Sequence, residues 1–342
     1  YSALKTLSDT DIQEKYKKYD EINHTEIKHP GFPIWAETFV GHKAPKDFPI
    51  ILTKNNKEIA KYLKEFRGSK DPTQPNEEGL ADELSRAVLN NINKFSEELL
   101  PFLLVDEIYL HSIIRGYRDA WRNGKNFDWG GLLDFIQKII EIQEFWTKEY
   151  HEGGFNYRDW VISEIASLVD DGAKKEKHSF DDSLNNSAKT ILFKLAEKTT
   201  TPLFKSTDII SAVLNSVKGS IYSALMSLSL KIARIKKDET NKWDGDIQNF
   251  FLDQLEEPSE ELLVVLGENL LLINYMNNEW LKNNLDKILR KDKEELWNLA
   301  ITGYFYYTIR LDKNIYPLLV ERGDYEKAVY TKLKSKSANE RV

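Results

Sequence analysis

The chain has 342 residues, a formal net charge of −7 and no cysteine, which excludes disulfides and thiolate metal sites and argues against a broad nucleic-acid face, because duplex binding needs a basic surface that neutralises several phosphates. Hydrophobic residues make up 41% and aromatic residues 12%, enough for a packed interior and too much for general disorder. Glycine (16) and proline (10) are scarce while charged residues reach 30%, a balance that favours long helices arranged as two domains or as one elongated stack.

A first helix is expected to open at Ser8, with Asp11 as its capping-box partner and with Ile12, Tyr16 and Tyr19 on one face. Periodicity then lapses over residues 23–53, where Pro30, Pro33, Pro45 and Pro49 interrupt the chain. The aromatics Phe32, Trp35, Phe39 and Phe48 predict that this segment lies against helices. A helix over 55–67 turns Ile59, Ala60, Leu63 and Phe66 inward, and GSKDPTQPNEEG breaks the chain after it.

Helical spacing resumes with Leu80, Leu84, Val88, Ile92 and Phe95 over 77–100, ended or kinked at Pro101. Further helices are expected over 106–125 and 128–150, after a cap at Asn156, and over 182–198, with DDGAKKEKHSFDD as an exposed connection before the last. Residues 206–234 read as the buried heart. They carry little charge, and Gly219, Ser220, Ser223, Ala224, Ser227 and Ser229 would let neighbouring helices approach; their serines argue against a membrane span. Beyond the hinge KKDETNKWDGD come helices over 247–255, from Pro258 or Ser259 to Ile273, over 278–289, and from an Asp292/Glu295 capping pair. A short amphipathic tail and a soluble KLKSKSANERV end follow. Gly116 and Gly303 interrupt apolar stripes and mark expected close approaches between helices.

Strand-like alternation is absent, and two-helix units recur about every 40 residues. The expected fold is all-α, a right-handed α-solenoid of irregular HEAT-like helical pairs. Its divisions are 1–76 (N-terminal helices and the Pro-rich irregular segment), 77–240 (a first helical-repeat segment) and 241–342 (a C-terminal helical-repeat segment).

Catalytic motifs do not emerge. Neither G-x-x-x-x-G-K-[ST] nor G-x-G-x-x-G occurs, the doublets Gly130-Gly131 and Gly153-Gly154 read as turns, and six scattered histidines include no H-E-x-x-H. No catalytic residue, cofactor or metal is expected, although His24, His29 and His42 share one irregular segment. The sharpest pattern is Arg115, Arg118, Arg122 and Lys125 at i, i+3, i+7 and i+10, near Trp121 and Trp129. It is the candidate contact for an acidic protein partner, set against an ordinary charged face paired with Glu107 and Asp119.

The phrases YLHSIIRGYRDAWRNGKNFDWGGLLDFI, NSVKGSIYSALMSL, VLGENLLLINYMNNEWLKNNLDKIL and LWNLAITGYFY, in that order, resemble the C-terminal helical region of very large bacterial anti-phage defence proteins. That family includes proteins with an N-terminal Sir2-like NAD-hydrolysing domain. The resemblance spans most of the chain from about Leu80 onward. It implies a non-catalytic sensor and scaffold that binds a phage structural or inhibitor protein and holds an effector domain silent; that effector would be an NAD hydrolase or nucleoside triphosphatase. It carries over no catalytic residue. A structural adaptor or oligomerisation module is the alternative. Because the chain begins at Tyr1, it is expected to be a piece of a larger protein; the absence of cysteine and of a long apolar run adds the expectation of a cytoplasmic protein without a membrane partner, able to oligomerise through the whole protein.

Overall fold

The computed structural model describes residues 9–22, 42–69, 71, 74–148, 156–200, 208–308 and 311–342. The chain divides into two compact units, Tyr1–His42 and Lys43–Val342. In the first, helix α1 (Thr10–Ile22) is capped by Asp9, whose Oδ1 accepts from the amides of Asp11 at 3.0 Å and Ile12 at 3.3 Å. The expected cap Ser8 lies outside the described residues, as do Pro30, Pro33, Phe32, Trp35 and Phe39. The boundaries expected after residues 76 and 240 both fall within the second unit.

The second unit begins with α2 (Phe48–Ile51), where Phe48 is fully buried. Next comes α3 (Asn56–Glu65), started by the Asn55 side chain accepting from the Glu58 amide at 2.9 Å. α4 (Glu77–Asn90) and α5 (Ile92–Glu97) replace the single helix expected over 77–100. The chain turns at Asn91 although the apolar stripe runs on, and Pro101 sits in the first turn of a 3-10 segment, Leu100–Leu104, rather than ending a helix.

α6 (Glu107–Arg122) is followed by α7 (Trp129–Glu141) and α8 (Gln143–Thr147), which are separated at Ile142. α9 (Tyr157–Lys174) has the expected Asn156 cap, accepting from the Asp159 amide at 3.3 Å. α10 (Asn185–Lys198), α11 (Ile209–Leu214) and α12 (Val217–Ile235) lead into α13 (Gly245–Gln254). α14 (Glu260–Glu268) is opened by Ser259 and ends before Asn269, so α15 (Leu270–Met276) is a separate helix. Then come α16 (Asn278–Ile288) and α17 (Glu294–Tyr307), whose N-terminus is Lys293 without a side-chain cap rather than the expected Asp292. α18 (Ile315–Glu321), α19 (Asp324–Val329) and α20 (Lys336–Asn339) complete the chain.

Among the described residues the structure is all-α, with 20 α-helices and only isolated bridge pairings at Lys43–Pro75 and Lys175–His178. The principal packing forms a row: α4 on α6, α6 on α9, α9 on α12, α12 on α14, and α14 on α17. Gly116 lets α4 and α6 touch, since a Cβ there would stand 2.6 Å from Val88 Cβ and 2.8 Å from the Ser85 carbonyl oxygen. α10 packs on both α7 and α12, while α11 lies against α12, α14 and α17.

α12 holds the buried position expected for it, with Ile221, Ala224, Leu225 and Leu228 closed to solvent. One side of it stays partly open, however. Ser220, Ser223, Ser227, Leu230 and Arg234 recur there at helical spacing, each only partly buried. The end of the chain is also docked rather than soluble: Leu333 and Ala338 are buried and α20 packs on α17. The Asn298 side chain accepts from the Lys334 amide at 3.2 Å and donates to the Lys332 carbonyl at 3.0 Å, and the Ile209 amide donates to the Lys334 carbonyl at 3.1 Å.

Candidate functional site

The arginine stripe of α6 lies between α4 and α9, and its charges are largely met inside the fold. Arg118, 18% exposed, reaches Glu164 Oε1 at 3.0 Å and Asp171 Oδ2 at 3.6 Å. Arg122 Nε donates to Asp171 Oδ2 at 2.6 Å, and Arg115 stands 3.5 Å from Asp82 and 3.9 Å from Asp119. Lys125 falls beyond the helix, and its ammonium donates to the Leu89 carbonyl at 2.7 Å. The stripe is therefore mostly an inter-helix clamp, with Arg115 and Arg122 still about half exposed.

Trp121 and Trp129 are interior residues, 5% and 6% exposed. Trp121 stacks on His178 with ring centroids 3.7 Å apart, meets Trp129 edge-on at 5.1 Å, and donates Nε1–H to the Asp171 carbonyl. Trp129 packs on Phe127 and Phe180, and Gly172 lies so close that a Cβ would meet its ring at 2.5 Å. The segment expected as an exposed connection is thus pinned: α9 runs through Asp170 and Asp171 to Lys174, and Phe180 is buried.

At the other end of α6, His111 Nε2 approaches Glu164 Oε2 to 3.7 Å. This is not an ion pair at neutral pH, despite the distance. Burial, with Arg115 and Arg118 beside it, holds the His111 imidazolium down to about 4. Burial pushes the Glu164 carboxyl up to about 6, against the opposing pull of Arg118. Trp160, 47% exposed, leans edge-on against His111 at 5.7 Å and Tyr157 at 5.4 Å, and the Tyr157 hydroxyl donates to Glu78 Oε1 at 3.1 Å.

The partly open sides of four row helices meet edge to edge. Asp82 of α4 meets Arg115 of α6, and Arg118 meets Glu164 of α9. Ser227 of α12 donates to Asp170 of α9, and Arg234 Nη1 donates to the Lys174 carbonyl at 3.2 Å. Along α9 this face shows Trp160, Ser163, Ser167, Asp170 and Lys174. Beside it, burial pushes the Glu268 carboxyl up to about 7, with Asp170 reinforcing and Lys174 opposing the shift, and raises Asp170 as well. Carboxylates offset the cations across the face, so it lacks the uncompensated positive charge that nucleic acid requires.

No family model, curated protein or solved structure matches the chain.

Among the described residues no group of three or more His, Cys, Asp or Glu side chains is placed to hold a metal ion; His24, His29 and His151 lie outside them. Nor is any described helix long and apolar enough to cross a membrane. Sequence reasoning named Trp160 only among six tryptophans expected mostly as wedges between helices, and it missed His111, Glu164 and Asp171 as site groups. Their only advance signal was that Trp160, Glu164 and Asp171 occupy helical positions within one turn of α9's open side, a spacing shared with ordinary surface residues.

Proposed function

We propose that this chain is a non-catalytic helical scaffold that recognises a protein, arranged as a right-handed α-solenoid of irregular HEAT-like pairs. Trp160 carries the reading. A half-exposed tryptophan, held on edge by His111 and Tyr157, has the character of a binding hot spot: large apolar area, restricted motion and neighbouring polar groups. The shared face of α4, α6, α9 and α12 surrounds it with serines and internally balanced charge, a surface that is hydrated but not strongly attractive to any one ion. An interface of about 1,200–2,000 Å² would be of ordinary size for such a face. The sequence resemblance supports the biological setting: a cytoplasmic sensor region of a larger anti-phage defence protein, taking a phage structural or inhibitor protein and controlling an effector domain.

The deciding experiment is affinity capture from phage-infected cells with the wild-type chain and with Trp160→Ala and Arg115→Glu. A phage protein held by the wild type and lost with Trp160→Ala supports the reading. Turnover of NAD, nucleoside triphosphate or nucleic acid by the purified chain, abolished by one polar substitution, would defeat it.

A structural adaptor or oligomerisation module is the second reading. It is favoured by the exposed Tyr316, Val320, Val329 and Tyr330 on and just after α18 and α19. Light scattering on wild type and Tyr330→Asp separates the two, since only an oligomerisation role predicts an assembly that this substitution dissolves.

A further inference from the structure

A groove of about 370 Å³ opens between the 3-10 segment, the start of α6, the end of α7 and α8. Its walls are apolar: Leu103, Leu104, Leu110, Ile139, Ile142 and Phe145. Leu104 is 68% exposed while Leu110, Ile139 and Phe145 of the same wall are buried, and the volume lies in the range that takes apolar side chains or small ligands. Water in such a groove has few polar partners, so an apolar occupant displaces it favourably.

The rim has a definite sign. Glu107 and Glu144 line the groove together with Lys148, whose ammonium pairs with Glu107 and lies 3.4 Å from Asp106. Arg158 donates to the Trp146 and Lys148 carbonyls nearby, at 2.6 and 3.5 Å. Among the described lining residues two carboxylates, Glu107 and Glu144, therefore stand with one cation, Lys148. Lys148 is occupied with its two carboxylates, and the Glu144 side chain projects from the exposed start of α8. An anionic guest would meet this excess negative charge, whereas a Lys or Arg flanking an apolar anchor would be attracted to Glu144.

We infer that this groove docks a basic amphipathic segment of a partner protein, with leucine-like side chains seated on Leu104, Ile142 and Phe145 and a Lys or Arg directed to Glu144. The inference rests on the recognition reading above and names the chemistry of one partner segment. A short helix suits the site, because apolar residues at i and i+3 or i+4 fall on one face while the basic residues flank them.

The test uses the full chain and a fluorescent synthetic peptide of about 15 residues with leucines at i, i+3 or i+4 spacing and lysines elsewhere, measured by anisotropy. Its counterpart carries glutamates in place of the lysines. The lysine peptide should bind at least about tenfold more tightly than the glutamate peptide. Leu104→Asp should weaken that binding by at least about tenfold, although it adds a negative charge that would strengthen diffuse attraction to a basic peptide. Glu144→Lys, also at an exposed position, should weaken it several-fold. Unchanged or tighter binding to Leu104→Asp, or equal binding of both peptides, overturns the inference. Binding to zwitterionic lipid vesicles that Leu104→Asp abolishes, with no peptide binding, would assign the groove to lipid and also overturn it. A captured partner that needs Trp160 but tolerates Leu104→Asp removes the groove and leaves the recognition reading standing. Peptide binding that obeys the groove variants in a chain that captures no partner does the reverse.

Discussion

Gly303 of α17 lies directly against the Val264 carbonyl of α14: a Cβ at Gly303 would stand 2.3 Å from that oxygen. The contact is answered one turn away, where a Cβ on Gly267 of α14 would be 1.9 Å from the Ala300 carbonyl oxygen of α17. Two glycines, one on each helix, thus set the separation of this pair. Alanine favours a helix over glycine by about 1 kcal/mol, so Gly303→Ala would stabilise an isolated α17. In the protein the clash is with backbone, which cannot rotate away, and a net loss of about 1–3 kcal/mol is expected. Urea denaturation of Gly303→Ala and Gly267→Ala measures it; a gain in either variant would mean that the helices separate at little cost.

Removing Arg118 should be far more damaging than removing Arg115. Arg118 pairs at 3.0 Å with the largely buried Glu164 and shares Asp171 with Arg122, and breaking a buried pair such as Arg118–Glu164 from one side costs about 3–5 kcal/mol. Arg115 makes looser, half-exposed contacts whose loss should stay within about 1 kcal/mol. Chemical denaturation of Arg118→Met and Arg115→Met gives the comparison. Adding Glu164→Gln to Arg118→Met should recover part of the loss, because it removes one stranded charge.

Glu268 predicts a particular pH dependence. Its folded carboxyl titrates near 7, above the ordinary value of 4.5, so between those values the folded chain binds more proton than the unfolded one. Stability from this group therefore falls as pH rises from about 4.5 to 7 and stays reduced above that. His111 acts oppositely: its folded value near 4 lies below 6.5, so its contribution rises with pH across that window. Glu164, raised to about 6, and Asp170, also raised, act in the same direction as Glu268, so His111 offsets only part of the fall below about pH 6. Glu268→Gln should be more stable than wild type by about 1–3 kcal/mol at pH 8 and show no advantage at pH 4. Melting curves across this range decide it, and an advantage independent of pH would point to packing instead.

The docked chain end gives a further expectation. Asn298 and Thr302 are buried in α17, and their side-chain oxygens both accept from the Lys334 amide at 3.2 Å. Asn298→Ala strands the Lys332 carbonyl and leaves the Lys334 amide with Thr302 alone, a cost of about 1–3 kcal/mol. Hydrogen exchange should quicken at 332–340 in this variant while α9 and α12 remain protected. Uniform loss of protection would show that the end folds as one unit with the row.

Periodicity made the helices of the row legible because each must bury a stripe against two neighbours, and the caps at Asn55, Asn156 and Ser259 were readable because their side-chain oxygens satisfy amides locally. The interruptions at Asn91, Ile142 and Asn269 were not, since the apolar pattern continues across each one and only the packing geometry breaks the backbone. Arg115, Arg118 and Arg122 were visible as a stripe. Their carboxylate partners Asp82, Glu164 and Asp171 lie on other helices, dozens of positions away, at a range where spacing carries no information. Trp121 and Trp129 looked equally suited to a surface or an interior; Gly172, leaving room for the Trp129 ring, was the residue that distinguished them.

The order of packing along α4, α6, α9, α12, α14 and α17 has a mechanical consequence. The row follows chain order, with α7 and α10 packed beside it, so tension applied between Lys43 and Val342 reaches its interfaces one after another instead of shearing all of them at once. Pulled in an optical trap, the chain should extend in several small steps at modest force, the first at the α20 end, where a four-residue helix holds the tail to α17. A protein built this way yields gradually, absorbing strain at its periphery while the α9–α12 pair keeps its register until last.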